Sequence, residues 1–348
     1  MKKRDVLDKT ISNNVKTIAI LLMFCLHFFH TSWIDEKNMI SSVFSIGSVS
    51  IEGVIADSGV LCVALFAIIS GYGLFYSLKK NMSWKSCLKR ILILYLDFWV
   101  VLLCVFIPIF FSLQKDLTAK GWILNMLGVR NSLNMFDWYV PFYAVAIVVL
   151  LIYVKYIESH RILSKVWWCG VVIGWGGTIF LKETLSLKYV AYIIVMLVGY
   201  LCAKYEIFNE AYYFINRYVK RKVVERILGI FLMLFVILWR YFISTITRWS
   251  ITNQFDWLLA ILFVIGVICT FNSLPEKVEK YCEFGGELST NMWYLHAIFF
   301  GVYINLQWIA YWPKISILII LWVYALLIPF SWGLMKVQAC VKRVIRVK

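Results

Sequence analysis

Two of the four histidines in this chain lie in one apolar run. His27 and His30 fall within "IAILLMFCLHFFH", residues 18–30, and Lys16 stands just before it. Lys16 and His27 are 11 residues apart, so a helix would place them on one face, roughly 16 Å apart along its axis. His30 is one turn further on the same stripe. Because an imidazole titrates near neutral pH and can act as base or nucleophile, we predict a catalytic role for His27.

Lys16 and His30 could both have purely structural roles. Lys16 could anchor a first membrane helix by extending its ammonium to the headgroups. His30 could be an ordinary residue at the membrane boundary. An unpartnered imidazole at position 27, by contrast, would cost a few kcal/mol of burial free energy. We therefore interpret His27 as functional and His30 as a supporting candidate.

Five further polar or small residues interrupt apolar segments. Ser70 and Gly71 lie in "VALFAIISGYGLFYSLKK", where they could allow close helix packing or open a kinked helix to a ligand. Ser289 and His296 lie at the predicted start of a later helix, two turns apart on one face, where a helix cap and an interhelical hydrogen bond are the alternatives. Asp137 precedes another apolar run, as a supporting catalytic group or an N-terminal helix charge.

The composition predicts which elements position these residues. The apolar fraction is 62% and the charged fraction 16%, with a mean hydropathy of +0.80, values typical of a membrane protein. We predict an all-α polytopic helical bundle that forms one domain, residues 1–348. Its ten spans are predicted at 15–34, 57–78, 91–112, 136–155, 165–181, 188–204, 226–246, 256–272, 288–308 and 315–336.

The positive charges predict an orientation. The net charge is +16, and the basic residues flank the apolar runs on alternate sides, which places both termini in the cytoplasm. Basic residues in that arrangement meet lipid headgroups, so we do not expect nucleic-acid binding. The nine cysteines are scattered without paired spacing, and we expect no metal site.

Four segments together resemble the membrane-bound acyltransferase 3 family, bacterial O-acetyltransferases with a ten-span core. "VKTIAILLMFCLH" keeps the family spacing from a first basic residue to a histidine, with Lys16 where the family has arginine. "LFAIISGYGL" matches the second-helix motif, "CLKRILILYLDFW" matches the basic motif that follows, and "GGELSTNMWYLH" matches the penultimate one. Ile93 stands where a second family arginine is usual.

The resemblance implies a function. An acyltransferase 3 protein of the bacterial cytoplasmic membrane would move acetyl from cytoplasmic acetyl-CoA to a hydroxyl of an extracytoplasmic polysaccharide or lipid-linked glycan, with no permanently bound cofactor. It implies catalysis by His27 and acyl-CoA binding by Lys16, Ser70, Gly71 and Arg90. The alternative is a transporter or flippase in which intramembrane histidines carry protons, although we find no internal repeat of the kind that many transporters contain.

Overall fold

The part of the chain that the structure describes is mostly helical. The computed structural model describes residues 5–30, 40–46, 49–80, 83–113, 116–180, 185–247, 253–272, 274–300 and 305–345. Two two-residue strands, Ser45–Ile46 and Val49–Ser50, are the extended elements within that part of the chain. The prediction of an all-α polytopic helical bundle is confirmed.

The helices are numbered in chain order. Two short π-helical segments, Leu102–Phe106 and Tyr153–Ile157, continue α4 and α7, and a 3₁₀ segment, His296–Phe299, follows α13. The α-helices are α1 Lys9–Phe29, α2 Ile51–Ser58, α3 Leu61–Lys80, α4 Trp84–Val101, α5 Ile107–Ser112, α6 Ala119–Met126, α7 Tyr139–Ile152, α8 Arg161–Phe180, α9 Leu185–Lys204, α10 Ile207–Tyr218, α11 Lys222–Ile246, α12 Asp256–Phe271, α13 Glu276–Leu295, α14 Gln307–Ala310 and α15 Ser316–Val344.

Eight of the ten predicted spans coincide with elements that are long and apolar enough to cross a bilayer. Seven of these elements qualify alone, and an eighth consists of α9 and α10, which together are bent by 61°. The other two predicted spans differ. Helix α12 is apolar but has only 16 residues, and α13 opens with the charged stretch "EKVEKYCE".

The predicted bounds of the ninth span, 288–308, are wrong. Helix α13 begins at Glu276 and ends at Leu295, before the 3₁₀ segment. Ser289 therefore lies in the interior of a helix, and the interpretation of Ser289 as a helix cap is wrong as well. Residues 301–304 of this predicted span, like 31–34 of the first, lie outside the described residues.

The chain divides into two compact units. The first contains residues 1–30, 46–82 and 153–287, and the second contains 31–45, 83–152 and 288–348. In the first unit, α3 and α9 cross so closely that a Cβ on Gly71 would lie 1.9 Å from the Met196 carbonyl oxygen, and one on Gly199 would lie 2.2 Å from that of Ile68. Glycine at these positions permits backbone contact between the two helices.

In the second unit, polar side chains connect α4, the last turns of α13, and α15. Asn291 and Gln338 exchange amide hydrogen bonds of 3.0 and 2.8 Å. Gln338 also donates to the Asp97 carbonyl, and the Lys342 ammonium pairs with the Asp97 carboxylate at 2.7 Å. Buried amides that satisfy each other in this way fix the register of the helices they join.

Candidate functional site

Lys16 and His27 lie on one unbroken helix. Asp8 caps the N-terminus of α1, where its carboxylate accepts a 3.1 Å hydrogen bond from the Ile11 N–H. From there the helix continues to Phe29, so the predicted three-turn separation of Lys16 and His27 on one face holds. His27 is 8% exposed, whereas Lys16 is half-buried.

Two asparagines form the polar surroundings of Lys16. The Lys16 ammonium donates to Asn13 Oδ1 at 3.3 Å, and both Asn13 and the adjacent Asn14 are buried. The Asn13 Nδ2 and both amide atoms of Asn14 have no hydrogen-bond partner among the described residues. The N-terminal half of α1 therefore presents an ammonium and unused amide groups inside the protein.

Helix α13 approaches α1 closely at this point. A Cβ on Gly286 would lie 2.0 Å from the Asn13 carbonyl oxygen, so only glycine fits there. One turn earlier along α13, the Cys282 carbonyl accepts a hydrogen bond from the Thr17 hydroxyl. These contacts fix the backbone on either side of Lys16.

At the C-terminal end of α1, His30 leaves the helix and pairs with α2. His30 has extended backbone angles and is the C-cap of α1. Its Nε2 lies 3.4 Å from Asp57 Oδ1, and the two side chains are 21% and 31% exposed. His30 thus lies at the end of α1, and the structure places beside it a carboxylate that the sequence did not indicate.

Next to this pair lies a buried arginine that sequence reasoning missed. Arg240 of α11 is 1% exposed and donates to both carboxylate oxygens of Asp256, at 2.9 and 3.2 Å. It also donates to Asn253 Oδ1 at 2.8 Å and to the Asp57 main-chain carbonyl at 2.6 Å. The signal available in the sequence was an arginine inside one predicted span and an aspartate at the start of the next.

Ser70 and Gly71 lie in the middle of α3, which continues without a break from Leu61 to Lys80. Ser70 is half-buried, and Gly71 packs against the α9 backbone as described above. Of the two interpretations offered by the sequence, close packing is the one that matches this geometry for Gly71. Acyl-CoA binding by these two residues stays a prediction.

Three candidate residues of the second unit are buried: Asp137, Ser289 and His296. The His296 ring stacks on Phe136 with centroids 4.5 Å apart. The Nδ1–H of His296 donates to the Trp293 carbonyl, which fixes the tautomer of this imidazole. Asp137, the residue after Phe136, therefore lies in a segment that packs against the end of α13.

Asp137 is fully buried just before α7 begins. Its main-chain carbonyl accepts from the Val140 N–H at 2.9 Å, but its carboxyl oxygens have no hydrogen-bond partner among the described residues. Burial raises the pKa of Asp137 well above its ordinary value. A carboxyl group in such surroundings keeps its proton to a higher pH than an exposed aspartate does.

Arg90 lies on α4 of the second unit and is half-buried. Its Nε has no hydrogen-bond partner within the described part of the chain. In the same part, no group of three or more His, Cys, Asp or Glu side chains could hold a metal ion. Within the first unit, the His27 imidazole and the Lys16 ammonium are groups that suit acid–base chemistry on an anionic substrate.

A family model decides the class of protein. The acyltransferase domain of the acyltransferase 3 family matches residues 11–336, nearly the whole chain. The chain belongs to the acyltransferase 3 family. Comparisons with curated proteins and with solved structures gave no match. This acyltransferase 3 protein is a multi-pass membrane acyltransferase. Lys16 and His27 of α1, and the whole of α13, lie within the matched residues.

Proposed function

We propose that this protein is a membrane O-acetyltransferase. It would take acetyl from cytoplasmic acetyl-CoA and transfer it to a hydroxyl of an extracytoplasmic polysaccharide or lipid-linked glycan, in the bacterial cytoplasmic membrane. The observation that carries the proposal is the placement of Lys16 and His27 on one face of an unbroken helix within a chain of this family.

His27 can serve the transfer in two ways. As a general base, it takes the proton of the acceptor hydroxyl while the hydroxyl oxygen attacks the thioester carbon and the CoA thiolate leaves. As a nucleophile, its ring nitrogen displaces the CoA thiolate to form an acyl-imidazole, which the acceptor hydroxyl then attacks. In both routes the carbon–sulfur bond breaks and one new ester bond forms.

Lys16 and Arg90 are the cations that we assign to the phosphates and carbonyls of the acyl-CoA. The Lys16 ammonium is bonded to one neutral amide, Asn13 Oδ1, which leaves N–H donors for an anion. Asn13 Nδ2 is a further unused donor beside it. Charge-assisted hydrogen bonds of this kind hold phosphate oxygens strongly.

The experiment measures transfer from labelled acetyl-CoA in membranes that contain the full chain. The His27→Ala variant should lose transfer. His160→Ala is the matched control, because His160 is an exposed histidine at the end of the segment before α8 and should leave the rate unchanged. Unimpaired transfer by His27→Ala would overturn the role of His27.

The same membranes distinguish the alternative function. A transporter or flippase with histidine-based proton coupling would show proton-dependent uptake of a solute and no labelled ester product. Rapid quenching in neutral denaturant then separates the two routes for His27, because acid would hydrolyse an acyl-imidazole. A labelled protein that is absent in His27→Ala indicates the acyl-imidazole, whereas labelled product without labelled protein indicates the general base.

A further inference from the structure

Most of the N–H donors of the Arg240 guanidinium are used in hydrogen bonds within the protein. Four of its five N–H groups donate to Asp256, Asn253 and the Asp57 main-chain carbonyl. Both Arg240 and Asp256 are almost fully buried, at 1% and 0% exposed. A guanidinium with its donors used in this way has little left to bind a substrate, so its role is to hold other groups in place.

What Arg240 holds is the end of α2. Its bond to the Asp57 carbonyl ties that residue to α11, and the adjacent Ser58 hydroxyl donates to the Ile237 carbonyl of the same helix at 2.7 Å. The main chain of Asp57 is thus fixed from one side. The Asp57 carboxylate faces His30, at 3.4 Å.

The His30–Asp57 pair differs from the Arg240 cluster in its accessibility. The side chains of His30 and Asp57 are 21% and 31% exposed, whereas those of Arg240 and Asp256 are buried. His30 also lies one helical turn from His27. A partly exposed pair beside the buried imidazole at position 27 is suited to exchanging protons between the surroundings of His27 and the outside of the protein.

We propose that His30 takes up the proton that the acceptor hydroxyl releases, that Asp57 is the positioning residue for His30, and that Arg240 is the positioning residue for Asp57. The inference rests on the function proposed above. The hydroxyl O–H bond breaks and its oxygen forms the ester. The acyl carbon separates from the CoA sulfur, or from His27 nitrogen if an acyl-imidazole forms. The proton reaches His30, directly or by way of His27, and passes to water.

Several charged or titratable groups surround this pair. His30 and Arg240 act electrostatically on Asp57. Asp256 neutralises Arg240 from the other side, Glu52 lies on the same short helix as Asp57, and His27 precedes His30 on α1. With Arg240 and Asp256 already paired, the Asp57 carboxylate is the charged group that faces the His30 imidazole, at 3.4 Å.

A double-mutant cycle tests the proposal in purified full-length enzyme. Asp57→Asn and His30→Gln should each lower kcat, by about tenfold or more, while leaving KM for acetyl-CoA within twofold. Asp57→Asn keeps the main-chain carbonyl that Arg240 binds, so the fold is retained. If the residues act as a unit, the double variant will be no slower than His30→Gln alone.

The pH profile gives a readout that a purely structural role would not move. In Asp57→Asn the dependence of kcat on pH should change shape, because the group that faces His30 has changed. Arg240→Lys should change it as well, whereas a purely structural loss would lower kcat by the same factor at every pH. Glu158→Gln is the control, since Glu158 forms a similarly exposed pair with Lys204 at 2.8 Å and should change neither kcat nor the profile.

Failure of this inference can be told apart from failure of the proposed function. If His27→Ala abolishes transfer but Asp57→Asn and His30→Gln retain the wild-type rate and profile, only the role of the pair is overturned. Additive losses in the double variant overturn it as well. A wild-type enzyme that transfers no acetyl group overturns the proposed function, and this inference with it.

Discussion

Arg240 and Asp256 form a two-bond ion pair inside the protein, with Nε 2.9 Å from Oδ1 and Nη2 3.2 Å from Oδ2. The two side chains are 1% and 0% exposed, so neither charge is hydrated, and each depends on the other and on the neutral acceptors nearby. The pair joins α11 to the start of α12. Its loss would therefore leave a charge uncompensated where two helices meet.

We expect Asp256→Ala to lower the free energy of unfolding by about 3–5 kcal/mol, because it leaves the Arg240 charge buried and unpaired. Replacing both residues, with Arg240→Met and Asp256→Leu, should cost less than Asp256→Ala alone. The measurement is denaturant unfolding in detergent micelles. Glu287→Gln is the control, since it removes an exposed pair with Lys9 and should change the free energy by less than about 1 kcal/mol.

Gly71→Ala should strongly destabilise the protein, because the added Cβ would lie 1.9 Å from the Met196 carbonyl oxygen and force α3 away from α9. Gly73, two residues along the same helix, has open space at that position. Gly73→Ala should therefore be neutral or raise stability by about 0.5–1 kcal/mol. Melting temperatures of the two purified variants check this, and equal temperatures would contradict the close crossing.

The raised pKa of the buried Asp137 carboxyl predicts a specific dependence of the free energy of unfolding on pH. Because burial raises its pKa in the folded protein, the folded state favours the protonated carboxyl. Its contribution is complete below the ordinary carboxyl pKa and is lost as pH rises through the raised folded value. Asp137→Asn should keep the shape of the group without this dependence.

Melting temperatures in buffers from below the ordinary carboxyl pKa to alkaline pH give the test. The wild type should lose stability with rising pH more steeply than Asp137→Asn, and the two curves should meet at the acidic end. Parallel curves over the whole range would show that Asp137 does not titrate differently in the folded protein.

The sequence predicted the spans but not the contacts that join them. Windows of about 20 apolar residues identify a membrane helix without knowledge of its neighbours, and eight predicted spans coincide with such elements. The start of α13 was missed because "EKVEKYCEFGG" is too polar to read as a span, although it is helical from Glu276. Hydropathy predicts which residues suit a membrane interior, and it does not predict where a helix begins or ends.

At the candidate site, too, the sequence predicted features of single helices but not the contacts between helices. The spacing of Lys16 and His27 is a property of one helix and could be read directly from the sequence. The role of Arg240 could not be read from the sequence, because an arginine within an apolar run is equally compatible with a side chain that extends to the headgroups. Its pairing with Asp256 depends on how α11 and α12 are placed in the first unit, which no local pattern specifies.

Lys16→Met should raise KM for acetyl-CoA by about tenfold or more, because it removes a charge-assisted hydrogen bond to the donor. Lys16→Arg should retain transfer, since the positive charge stays and arginine is the residue that the family motif places here. Lys9→Met is the control on the same helix, because Lys9 is 79% exposed. Initial rates over a range of acetyl-CoA concentrations separate these outcomes, and an unchanged KM in Lys16→Met would remove Lys16 from the donor site.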